Sequence, residues 1–264
     1  MNIPKEWLFP GSIEEAKAVQ KIMAAKVITE DAFRGLAKIG GMDVSNNLYD
    51  PAQMIYASCV TLEYPQLSVM DQAAVSLRQS FPYIPGLLGF REAPALVEAF
   101  QKLTQKPDLL FVDGHGISHP RGLGIASHIG ILLDIPTIGV AKSILVGKPE
   151  GQLGLEIGSQ TPLVWNEQCL GVVLRTKKRA NPLIISVGHK ISLPTAVELV
   201  LHCLRRYRLP EPTRQAHLAA NKCRVLMMRS AKEKPLGDLD GKEVNSDDTS
   251  EHHIKNPREG SQVK

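Results

Sequence analysis

Apolar positions in this chain repeat with two different periods, and the switches between them mark out the elements. Ala16, Val19, Ile22, Met23 and Val27 form a helical stripe. Ser12 and Glu15 precede and open it with capping-box spacing, so a first helix is predicted after Ser12. Strands are predicted over 39–44 and 54–62, separated by a turn containing Asn46-Asn47 and Asp50-Pro51. A helix over 68–79 leads into a proline-rich segment, and a second, over 91–103, carries Leu96, Val97 and Phe100 on its apolar side. The run Leu109-Leu110-Phe111-Val112 reads as a buried strand. A helix over 124–133 and a strand over 137–140 follow. The stretches 170–174 and 183–187 read as an antiparallel pair. Ser192 caps a helix, and Glu211-Pro212 opens the last one. Paired strands first and strand–helix alternation later predict an α/β fold, a mixed sheet with helices on its faces.

From residue 230 the composition changes. The stretch 230–264 has no Phe, Trp or Tyr and is crowded with charged residues, Ser and Gly. It cannot bury enough apolar area to offset the entropy of ordering, so disorder is expected there, after one domain spanning 1–229. The 264 residues carry a net charge of +4 and a pI near 8.8. That balance suits a polyanion partner without defining one. Four scattered cysteines form no CxxC pair, which argues against zinc. Cys59 and Cys169 lie in apolar runs and read as small core residues. No stretch has the length of a signal core or a membrane span. A cytoplasmic protein with no membrane partner is the expectation.

Three apolar stretches end at, or run into, carboxylates. Asp43 follows Gly40-Gly41-Met42, Asp113 follows the buried run above and precedes Gly114, and Glu92 opens a helix. Each alone is equally suited to capping a turn or solvating a helix end. Brought side by side by one sheet, they repel, and a hard cation such as Mg²⁺ or Mn²⁺ is the natural remedy. Beyond Asp113 a glycine-rich segment carries His115, His119 and Arg121, with Arg121 placed to grip a phosphate. Lys142 ends the strand over 137–140 and is suited to a phosphate or a water. Tyr83, Ile84 and Pro85 form a stiff apolar tip before Gly86. Such a tip suits insertion between stacked bases, or simple core packing.

The segments GMDVS, PYIPGLLGFRE, FVDGHGISHPRGLGIASHIG, IPTIGVAKS, SVGHKISL and RLPEPTRQAH resemble the endonuclease V family, nucleases that act on deaminated adenine (inosine) in nucleic acid. The resemblance covers 13–224. It implies a ribonuclease H-like fold and a metal site of Asp43, Glu92 and Asp113. It implies that the PYIP segment, with Tyr83, is a strand-separating wedge, and that His119, Lys142 and His217 lie near the scissile phosphate. The flipped base would sit among Gly86, Leu88, Gly124 and Gly139. The implied reaction is Mg²⁺-dependent hydrolysis of the second phosphodiester 3′ to inosine, by a monomer acting on inosine-containing DNA, with inosine-containing RNA as a further candidate substrate. Two rival readings stand beside it: an enzyme mainly cutting inosine-containing RNA, and a nucleic-acid-binding module with a vestigial metal site. Ser186-Val187-Gly188-His189 departs from the family's SPGH, and not all members share the histidine at 217.

Overall fold

A computed structural model describes residues 3–46 and 50–233. The strands β1 (Lys38–Asn46), β2 (Met54–Glu63) and β3 (Val69–Arg78) form an antiparallel meander. β4 (Leu109–Asp113) lies parallel to β1, and β5 (Thr137–Ala141) parallel to β4. β6 (Lys148–Pro149), β7 (Gln160–Trp165), β8 (Gln168–Leu174) and β9 (Leu183–His189) complete one mixed sheet. Its order is β3-β2-β1-β4-β5-β9-β8-β7-β6. The ribonuclease H-like mixed sheet implied by the resemblance is therefore present.

Helices cover both faces. α1 (Ile13–Ala24), α2 (Leu88–Lys102) and α3 (Ile125–Leu133) pack with Met42, Leu110 and Val112. α4 (Leu193–His202) and α5 (Glu211–Glu233) pack on the other face with Ile39, Leu109 and Phe111. Alternate residues of the run Leu109-Leu110-Phe111-Val112 thus feed two different cores, which is why it reads as continuously apolar. Ser12 caps α1 by accepting from the Glu15 amide at 3.0 Å, and Ser192 caps α4. No described helix is long and apolar enough to cross a membrane.

Several expectations need correction. The segment 68–79 is strand β3, not a helix. Its alanines suggest helix, but Ala73, Val75 and Leu77 alternate toward the core while β2 supplies the backbone partners. Ile22 is 55% exposed, and Gln20 takes its place in the buried stripe. Cys169 is exposed, unlike Cys59. α2 starts at Leu88, so Glu92 lies in its second turn. β6 and β7 were not anticipated, being short and interrupted by prolines. α5 continues to Glu233, past the expected boundary at 230. The remainder of the expected tail, 234–264, lies outside the described residues.

Candidate functional site

The site forms where β4 ends alongside β1, which itself runs on three residues past Asp43 to Asn46. Met42 pairs with Val112 in parallel register, so the next step along both strands sets Asp43 beside Asp113. α5 crosses this edge closely. A Cβ on Gly41 would lie 1.9 Å from the Pro212 carbonyl oxygen, so only glycine lets the first turn of α5 come so near. That approach delivers His217, whose Nδ1 lies 2.7 Å from Asp43 Oδ2. Asp43, Asp113 and His217 each present one ligand atom within 4.8 Å of the others. Glu92 stands outside that set and comes from α2, on the opposite face of the sheet.

Charge is crowded here. Burial, then the neighbouring Asp113, pushes the Asp43 carboxyl up to about 6. Burial, then Asp43, pushes Glu92 up to about 8. Lys142 offsets part of this through an ion pair from Nζ to Asp113 Oδ2. Its backbone carbonyl is held in turn by Arg208 Nη2 at 3.1 Å. Three carboxylates and one ammonium leave a surplus of negative charge that a dication satisfies.

Asn221, which sequence reasoning missed, orients His217. Ser45 Oγ donates to Asn221 Oδ1 at 2.8 Å, which turns the amide nitrogen toward His217 Nε2 at 2.9 Å. Nε2 then accepts, and Nδ1 carries the proton donated to Asp43. In this arrangement His217 steadies Asp43, whose oxygens, with those of Asp113, could hold a hard cation. The signal for Asn221 was its i+4 spacing from His217 on one helix.

Beside the carboxylates lies a pocket of about 190 Å³. Tyr83, Ile84, Pro85, Gly86 and Leu88 form one wall, and Gly114, His115, His119 and Gly124 the other. Tyr83 is 60% exposed at its rim, with the Arg91 guanidinium 5.6 Å from its ring centre. A larger groove of about 530 Å³, between α4 and the β7–β8 pair, contains none of the site residues.

The carbonyl of Gly86, a residue with φ +77°, is the hub of this pocket. It accepts from Gln20 Nε2 at 2.9 Å, His119 Nε2 at 3.1 Å and Arg121 Nη2 at 2.5 Å. The Arg121 amide donates to His119 Nδ1, which leaves Nε2 as the protonated nitrogen. Burial, then the Arg121 charge, pushes His119 down to about 4, so it is neutral near pH 7. Arg121 also donates from Nε to Gln20. Arg121 and His119 together clamp the Tyr83–Gly86 tip. Gln20, buried inside an apolar stripe, was not anticipated; its polarity at a core-facing position was the available sign.

Gly139 does not line the pocket. It lies behind it in β5, where a Cβ would meet the Gly116 amide nitrogen at 2.4 Å. Gly124 does line it, but a Cβ there would sit 2.2 Å from the His115 carbonyl oxygen, so bulk at 124 would also break the glycine loop.

Carboxylates gathered on adjoining parallel strands of a mixed sheet, next to an apolar pocket, are the layout of a ribonuclease H-like nuclease. The family model for Endonuclease V matches residues 21–218, and the chain belongs to that family. It is 57% identical over 220 residues to an endonuclease V of Protochlamydia amoebophila, covering 83% of this chain and 94% of that one. The crystal structure of endonuclease V from Streptomyces avermitilis superposes with a TM-score of 0.77 at 36% identity, covering 87% and 98% of the two chains. The Ciona intestinalis enzyme superposes with a TM-score of 0.70 at 28% identity, covering 80% and 95%. It was solved with DNA containing an inosine followed by a ribo-adenosine.

Proposed function

We propose that this protein is a Mg²⁺-dependent endonuclease that hydrolyses the second phosphodiester 3′ to inosine in deaminated nucleic acid, initiating repair. The observation that carries the reading is the Asp43–Asp113 pair beside a pocket walled by Gly86 and Gly124. The inosine-containing DNA bound to the Ciona relative supports the substrate class. Asp43 and Asp113 would hold the cation, with Glu92 completing the site from the opposite face. Mg²⁺, or Mn²⁺ in its place, would activate water and offset charge on the phosphate and leaving oxygen. Lys142 brings a positive charge to the same edge, and His217 keeps Asp43 in place. Tyr83 and Ile84 would part the stacked bases, while the clamp on Gly86 holds that tip fixed.

The test is cleavage of end-labelled duplexes with inosine or adenine at one position, in Mg²⁺, with the product mapped to the nucleotide. Matched DNA, RNA and mixed-sugar strands belong in the same assay, because the 2′-hydroxyl is what separates the DNA reading from the RNA one. One cut at the second bond, dependent on inosine and lost in Asp113→Asn, is expected. Equal cutting beside adenine, or full activity in Asp113→Asn, overturns the reading.

A further inference from the structure

We propose that a basic surface next to the catalytic edge binds the phosphodiester backbone of the strand where it runs on from the site. It is built from the β8–β9 turn, with Lys177, Lys178 and Arg179, and from Arg205 and Arg206 ahead of α5. This deepens the proposed function, on which it rests, by assigning a strand-binding surface outside the carboxylates and the pocket.

All five side chains belong to exposed residues. Exposed cations are ordinarily just solvated, and what sets these apart is how they are mounted. Arg175 pins the turn by donating from Nε to Gly154 O at 2.6 Å and from Nη1 to Ala180 O at 3.2 Å. Arg208 pins its far end by donating to Asn181 O at 2.7 Å and Pro182 O at 2.9 Å. Thr176 Oγ1 donates to Arg208 O at 2.7 Å, which staples the two basic segments together. Two half-buried arginines are thus committed to backbone carbonyls, and exposed Arg205 also donates to Leu204 O and Gln66 O at 3.3 Å, while Lys177, Lys178, Arg179 and Arg206 stand exposed beside them. Arg179 stands at φ +57°, a left-handed position in this fixed turn.

The surface also adjoins the site. Arg208, the residue at its centre, reaches the Lys142 carbonyl at 3.1 Å, and Lys142 is ion-paired with Asp113. Chain reach of ~3.3–3.6 Å per residue puts Arg206 and Lys177 within roughly 10 Å of the Arg208 backbone. Nucleic acid advances about 3.4 Å per base step, so the surface meets the strand a few nucleotides from the cut. Among the described residues, Glu156 is the one carboxylate ion-paired with these five cations, through Lys178 at 2.8 Å. Arg205 also lies within electrostatic reach of Glu211, which is itself ion-paired with Arg214, so positive charge still predominates on this surface. A backbone polyanion is the ligand this chemistry fits, bound without regard to sequence.

The test uses the full chain carrying Lys177→Ala, Arg179→Ala and Arg206→Ala together, leaving the Lys178–Glu156 pair intact. On a long inosine duplex KM should rise while kcat at saturation holds. The slope of log affinity against log salt should flatten by about 0.9 for each phosphate that is no longer neutralised. The deficit should vanish on a substrate trimmed on one side of the lesion, because the strand no longer reaches the surface. An unchanged KM and salt slope on the long duplex overturns the proposal. So does a deficit that survives trimming from either side. If the triple variant melts early, Lys177→Gln and Arg206→Gln singly must each flatten the slope, or the proposal fails. Salt-dependent binding to an undamaged duplex reads the surface even if the protein does not cut at inosine, so the two failures are distinguishable.

Discussion

His128 should make this protein acid-labile, by an amount that can be worked out. It lies in α3 with its imidazole fully enclosed, edge-on to Phe90 at 4.9 Å between ring centres. Nε2 lies 2.7 Å from the Trp7 carbonyl oxygen and donates to it, while Nδ1 has no hydrogen-bond partner. A Cβ on Gly89 would come within 2.5 Å of Nδ1, so there is no room for water to solvate a charge there. Burial pushes His128 down from 6.5 to about 4. The folded group is therefore neutral, and the unfolded chain takes up the proton first. Stability is whole above pH 6.5 and falls as pH drops toward 4, where the loss reaches about 3 kcal/mol at ~1.4 kcal/mol per unit. At pH 5 it is about 2 kcal/mol, or roughly 4–8 °C in Tm for a chain of this size. His128→Leu removes that dependence but strands the Trp7 carbonyl, costing about 1–2 kcal/mol at all pH values. Urea unfolding in EDTA, from pH 7.5 to 4.5, should show the native chain ahead at pH 7.5 and the two level near pH 5. Taking the difference between chains cancels the other titrating groups. A difference that stays constant across that range refutes the argument.

Two further outcomes follow from the site itself. Glu92 and Asp43 have folded values raised to about 8 and about 6, so their ionisation opposes folding, and metal-free stability falls as pH rises through those values. Glu92→Gln should therefore raise Tm in EDTA at pH 9, with the gain fading by pH 4.5, while abolishing cleavage. No gain at pH 9 would mean that Glu92 is solvated. Gln20→Leu takes away one of three donors to the Gly86 carbonyl and the 3.3 Å bond to Leu123 O. It should lower stability by about 1–3 kcal/mol and raise KM for an inosine duplex, with kcat at saturation retained. An unchanged KM would show that the clamp does not set the tip.

The central sheet was legible because strands buried on both faces leave a plain signature, an uninterrupted apolar run stopped by a carboxylate. Asp113 stood out for that reason; Asp43 read the same way, although β1 runs on past it to Asn46. Their being adjacent required the register of β1 on β4, which no local pattern carries. β3 was misread because alanine favours helices, and the alternation of Ala73, Val75 and Leu77 counts only once β2 lies alongside. Arg121 and His119 were recognised as unusual, but their partners were not visible. The carbonyl they hold lies more than 30 residues away in the chain, and backbone oxygens leave no trace in composition. Gln20 was hidden for the same reason.

The two halves of the site are made rigid by different means, and both depend on close backbone approach. At the metal half, the absence of a side chain on Gly41 lets α5 lie against β1. A helix lifted by even one carbon would carry His217 away from Asp43, and Asn221 away from Ser45. At the pocket half, three donors converge on one carbonyl oxygen. A lone carbonyl has two lone pairs, so three donors over-determine its position and fix the turn at Gly86 more tightly than its own backbone would. A wedge that must enter stacked bases gains from that stiffness, because a tip ordered before binding loses little entropy on insertion. The carboxylates are the reverse case: held together they cost stability, and that stored repulsion is what the dication of the proposed function would relieve on binding. Under the proposed function, rigidity at the tip and repulsion among the carboxylates serve one arrangement, in which a fixed loop would read the base and a cation would be drawn to the point where the strand must be cut.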